Sequence, residues 1–165
     1  MNINRKLFIF LSALGISFFL ITAQAAKKYK FFLQDAYQIE HVQGSSEDNT
    51  IMKVWATASN AKKAVEKAKQ DAVAAVIFGG SFVDPIVTHR EIFDNERDYF
   101  EAFFTSGEYL NYVHEVNSAF PTGENNIQTP EGRRVGIMLI VDKTALRKKL
   151  EEDGLVLKMS NILRN

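Results

Sequence analysis

The stretch Thr50–Gly80, TIMKVWATASNAKKAVEKAKQDAVAAVIFGG, carries a strand and a helix back to back. Residues 50–57 are β-branched and aromatic with both faces partly apolar, which predicts a strand. Ser59 or Asn60 follows, with a side-chain oxygen suited to the open amides of a first helical turn. Ala61, Ala64, Val65, Ala68, Ala72, Val73, Ala75 and Val76 then recur at helical spacing. Lys62, Lys63, Glu66, Lys67, Lys69, Gln70 and Asp71 fill the opposite, solvated face. Gly79-Gly80 ends the helix, because glycine takes up the left-handed C′ conformation at little cost. Alanine on the inward face lets the helix approach a sheet closely, and the helix suggests no cofactor role.

Upstream, residues 36–42 place Tyr37, Ile39 and His41 on one face at period two. The turn formers of 44–49 then join this second strand to 50–57 as an antiparallel neighbour. Downstream, Arg134–Val141 is a near-continuous apolar run, the profile of a central strand covered on both faces. Asp142 caps a helix through Leu146 and Leu150 that stops at Gly154, and Leu155, Leu157 and Met159 alternate as a final strand or tail. The order predicts an α+β domain, a small antiparallel or mixed sheet with two to three helices packed mainly on one face.

Between these parts, residues 85–130 read as an aromatic-rich insert. Asp94 is the expected cap of a helix through Tyr99, Phe100, Phe103 and Phe104, with Glu96 and Asp98 at the positive end of its dipole. Gly107 interrupts it, Tyr109–Val116 fits helix or strand, and residues 121–132 read as a polar loop. Tyr99, Phe100, Phe103, Phe104 and Tyr109 are the candidate partner-binding residues, since aromatics concentrate at protein contacts; the competing reading is plain core packing. Trp55 is expected beside that core.

The N-terminus carries an export pattern. Arg5 and Lys6 precede an uncharged, mostly apolar run from Leu7 to Ile21, and Ala23-Gln24-Ala25 supplies the small-x-small site of signal peptidase. Cleavage after Ala25 leaves residues 26–165 as one domain, led by the basic stretch 26–30 and without an integral membrane segment. A retained anchor would want about 20 apolar residues.

Composition narrows the function classes. The 165 residues hold 20 basic and 20 acidic side chains, with a pI near 6.8. That balance gives no electrostatic footprint for nucleic acid. The absence of cysteine excludes a disulfide framework, thiol catalysis, thiolate zinc and a lipidated cysteine. Removing residues 1–25 takes away two basic groups and leaves a formal charge of −2.

Two segments together, the strand and Ala-rich helix from Lys53 to Val76 and the strand and helix from Val135 to Gly154, resemble small exported α+β domains of flagellar assembly protein T and the lipoprotein-20-like envelope family. That resemblance covers about a third of the mature chain and implies an accessory or assembly role in the envelope, with no catalytic residues. The chain departs from it in lacking the lipid-attachment cysteine and in its aromatic insert.

Motifs for chemistry are sparse. His41, His89 and His114 stand in no metal-ligand spacing. Glu91, Asp94, Glu96, Asp98 and Glu101 lie along a helix start rather than across a cleft. No Gly-x-Ser-x-Gly elbow occurs, and Gly79-Gly80-Ser81 follows a helix instead of opening one. The expectation is therefore an exported, non-enzymatic domain without cofactor or metal, binding an envelope protein or a second copy of itself. The alternative is an α+β pocket, lined by the aromatic segment, that holds an apolar ligand or hosts hydrolysis; a histidine–carboxylate metal enzyme comes third.

Overall fold

The computed structural model describes residues 37–41, 46–80, 83–87 and 91–157, the side chains of His41 and Glu91 excepted. The export pattern of residues 1–25, the basic stretch 26–30, His89 and Met159 lie outside the described residues.

Strands β1 (Gln38–His41), β2 (Asn49–Ala58), β3 (Val113–Glu115), β4 (Asn126–Thr129) and β5 (Gly132–Asp142) form one antiparallel sheet. The order is β1-β2-β5-β3, with β4 also pairing β5. The two long strands are its spine, in register from Asn49↔Asp142 to Ala58↔Arg133. The fold class is α+β, as the order of elements predicts, with three main helices packed against the sheet.

Helix α1 (Ala61–Phe78) starts where expected: Asn60 Oδ1 accepts from the Lys63 N–H at 3.0 Å. Its end differs in detail, since Gly79 combines φ +94° with an extended ψ of 155° rather than the left-handed conformation. The alanine face works as a spacer: Ala64, Ala68, Ala72, Ala74 and Ala75 are fully buried. Every residue from Asp71 to Phe78 is buried, so the C-terminal half of α1 is covered all round. Asp71 is thus not on a solvated face; it is buried with the Lys67 Nζ 2.6 Å away.

The second cover of α1 is aromatic. The chain runs through α2 (Glu91–Asn95) and α3 (Arg97–Ser106), turns at Gly107 in the left-handed region, and forms a 3-10 turn over Glu108–Tyr112 before β3. Asp94 is not the cap of α3. It lies inside α2 and its carboxylate pairs with Arg97, while Glu96 occupies the cap position with no side-chain hydrogen bond. Phe78, Phe93 and Phe100 meet at centroid distances of 4.8–6.0 Å, and Phe103 joins Phe104 and Tyr112 at 5.2 and 6.0 Å.

Helix α4 (Lys143–Glu152) is capped by Asp142, whose Oδ1 accepts from the Ala145 N–H at 2.8 Å, and it buries Leu146 and Leu150. Residues 155–157 form no strand. The region read as a polar loop contains β4: Pro130-Glu131 link it to β5 in a two-residue hairpin, with Thr129 opposite Gly132. Its Asn-Ile-Gln-Thr sequence is too polar to announce a strand, and pairing with β5 decides it. Gly132 is required here, because φ is +132° and an added Cβ would lie 2.2 Å from the Ala58 carbonyl oxygen.

Candidate functional site: the open face of the sheet

Side chains alternate across a strand, so β2 and β5 each present two faces. Met52, Val54, Ala56, Val135, Ile137, Leu139 and Val141 point to the helices and are buried. The opposite face pairs Ile51 with Ile140, Lys53 with Met138, Trp55 with Gly136 and Thr57 with Arg134. Its edges are set by Gln38 and Glu40 of β1, His114 of β3 and Ile127 of β4. Val116 extends the row beside Met138, donating its N–H to the Met138 carbonyl at 3.1 Å. Among the described residues no element covers this face: Ile51, Trp55, Met138 and Ile140 are half-buried, and Val116 and Ile127 are 43% and 41% exposed. The apolar run 134–141, expected to be covered on both faces, is thus a central strand that the described residues cover on one.

Trp55 is the fixed point of the surface. It lies outside the core rather than beside it, flat against β5; a Cβ on Gly136 would stand 2.8 Å from three of its ring atoms. The indole Nε1 donates to Glu40 Oε1 at 2.7 Å. Lys53 Nζ and Arg134 Cζ each stand 4.6 Å from the ring centroid, a distance at which a cation is attracted to the indole quadrupole. Lys53 also faces Glu40 at 3.6 Å, and Arg134 donates to the Gln38 side-chain oxygen at 3.2 Å. An apolar strip with both signs of charge at its margin is the composition of a contact surface, apolar at the centre and polar at the rim.

The five aromatic residues singled out in the sequence are placed differently. Phe100, Phe103, Phe104 and Tyr109 are in the core, and Tyr99 is half-buried against it. Burial, with the Glu66 and Asp71 carboxylates adding, raises the Tyr109 phenol above its ordinary range. Tyr99 presents only its hydroxyl to a polar knot. Its Oη donates to Asp153 Oδ2 at 2.6 Å, and Lys149 Nζ bridges Asp153 and Glu108 at 3.0 and 3.1 Å. Burial and the Asp153 carboxylate hold the Tyr99 phenol far above its usual pKa, while the Tyr99 hydroxyl holds Asp153 below its own against the opposing effect of burial. Hydrogen bonds to Asp153 and Glu108 raise Lys149 in turn. This knot pins α3, the 3-10 turn and α4 together.

The histidines are not brought together in anything described: His114 is exposed on β3, and the His41 side chain and His89 lie outside the described residues. Among the described residues no group of three or more His, Asp or Glu side chains is placed to hold a metal, and no helix is long and apolar enough to cross a membrane. Asp94, Glu96, Asp98 and Glu101 stand on α2 and α3 or between them, the first three exposed and Glu101 half-buried. Sequence reasoning missed the open face, although one signal was present. Two strands with apolar residues on both sides need two layers of cover, and the helices are few enough to supply only one.

Family models, curated proteins and solved structures were all compared with the chain, and none matches it.

Proposed function

We propose that the protein is an exported, non-enzymatic binding or assembly domain of the cell envelope whose contact surface is the open face of the sheet. The observation that carries this reading is the half-buried strip Ile51, Trp55, Met138 and Ile140, on which no described element packs, flanked by Val116 and Ile127. Leaving apolar groups of this size in water forgoes about 25 cal/mol for each Å² that burial would remove. Export rests on the n-region, apolar run and Ala-x-Ala pattern of residues 5–25. The envelope role rests on the resemblance of the two strand–helix segments. The aromatic helix serves this function indirectly, as the packing that holds the sheet rigid.

The test is site-specific photo-crosslinking in cells, with the photoreactive residue at position 138 and, as control, at Lys62 on the exposed start of α1. Discrete products from 138 and not from 62 are expected. Equal labelling from both positions would sink the reading. The mass of the exported protein should correspond to residues 26–165.

The rings that would line the pocket of the alternative reading pack edge-on, stacked or tilted against one another and Phe78 at 4.8–6.2 Å, which favours their reading as core.

A further inference from the structure

We propose that the occupant of the open face is a second copy of the same chain, the two sheets packing face to face in a weak two-fold dimer. The inference rests on the reading of that face as the contact surface and names its partner.

Three features of the face point to self-association. The first is area. Strands β2 and β5 run the length of the face while β1, β3 and β4 cover only parts of its edges, so at about 3.3 Å per residue and about 4.8 Å between strands the five strands span about 500 Å². Two such faces bury about 1,000 Å² in total, the size of a weak, transient pair. The second is charge. A two-fold interface requires a patch complementary to itself, and this one holds donors and acceptor together: Lys53 and Arg134 against Glu40. Arg134 has an amide oxygen and an indole ring as partners but no carboxylate among the described residues, and an opposed copy brings its own Glu40. The third is net charge. With 20 basic and 20 acidic groups, or −2 after loss of residues 1–25, two copies meet without long-range repulsion. A strongly acidic or basic partner would leave one of the two signs on this face opposed by its like.

Trp55, the only tryptophan, sits in the middle of the strip and reports on it directly. The experiment uses protein purified after expression of the full 165-residue sequence. Sedimentation velocity and iodide quenching of Trp55 fluorescence are followed together from about 10 µM to about 1 mM, the range a small interface calls for. The expected result is a rise in apparent mass from one protomer towards two, with Trp55 quenching falling at least twofold over the same range. Met138→Glu and, at the rim, Val116→Asp should each shift the midpoint at least tenfold to higher concentration while leaving the far-ultraviolet circular dichroism unchanged. A single-protomer mass throughout would overturn the proposal. So would a doubling of mass that leaves Trp55 equally quenchable, or a dimer indifferent to Val116→Asp. Should Met138→Glu unfold the domain, the wild-type quenching and the rim variant still decide. A monomer that nevertheless gives heterologous crosslinks from position 138 would remove the dimer and keep the docking face, whereas no crosslink of any kind would remove both.

Discussion

Strands β2 and β5 have apolar residues on both sides, and the two sides have opposite fates. Towards the helices, Val54, Val135, Leu139 and Val141 are fully or almost fully buried under the alanine face of α1 and its aromatic outer layer. Away from them, Ile51, Trp55, Met138 and Ile140 are only partly buried. The residues are of the same kind, on the same strands, and alternate one by one. What differs is only what lies above them. Among the described residues, the stabilising cover is therefore concentrated on one face of the sheet.

That contrast is broken most directly from the helical side. Phe100→Ala removes a fully buried ring that touches Phe78 and Phe93, and should cost about 3–5 kcal/mol in urea unfolding. A loss below about 1 kcal/mol would mean that the aromatic layer is not core. Gly132→Ala comes next, since it places a methyl against the Ala58 carbonyl and requires a φ that alanine avoids. It should cost about 2 kcal/mol or more and loosen the β4–β5 hairpin, seen as faster amide exchange at residues 126–135.

Tyr99→Phe tests the knot that ties the helical layer together. It removes one partly exposed hydrogen bond to a carboxylate, so about 1 kcal/mol is expected at neutral pH. The pH dependence gives the signature. Asp153 titrates below its unfolded value, so its contribution is complete above the ordinary carboxylate pKa of about 3.9 and is lost as pH falls through the lower native value. Tyr99 titrates above its unfolded value, so its contribution is complete below about pH 10 and is lost as pH rises through the higher native value. The difference between wild type and Tyr99→Phe should then be flat from about pH 5 to 9 and shrink on both sides. A difference that varied through neutrality would contradict this assignment.

The smallest effect belongs to the open face. Met138→Thr keeps β propensity and, in dilute protein, should change stability by only about 0.5 kcal/mol. A cost approaching that of Phe100→Ala would show that the outer face is covered after all, and would end the comparison.

Much of the fold was legible because it is local. The cap at Asn60, the alanine spacing of α1, the break at Gly107 and the cap at Asp142 are chemistry within one turn of chain, and each appears close to where its residues place it. The spine strands were legible from β-branched and apolar runs. The elements that misled were those whose state depends on a distant partner. β4 is a strand because β5 lies beside it, and Asp94 lost its cap position because the chain formed an extra short helix before α3. The candidate site was the least legible part. The composition of the aromatic segment fitted a docking surface or plain core packing, and its rings meet one another and Phe78 of α1.

The sequence by itself therefore determined the α+β class, the positions of α1, α4 and the spine strands, and the absence of thiol chemistry, because periodicity, capping and composition are properties of the chain before it folds. Only the tertiary structure decided which face of the sheet is covered. Hydrophobicity is non-directional, so an apolar side chain specifies that burial is favourable and not what will bury it. For Phe100 the cover is supplied by α1 of the same chain; over Trp55 and Met138 no described element of the chain supplies it.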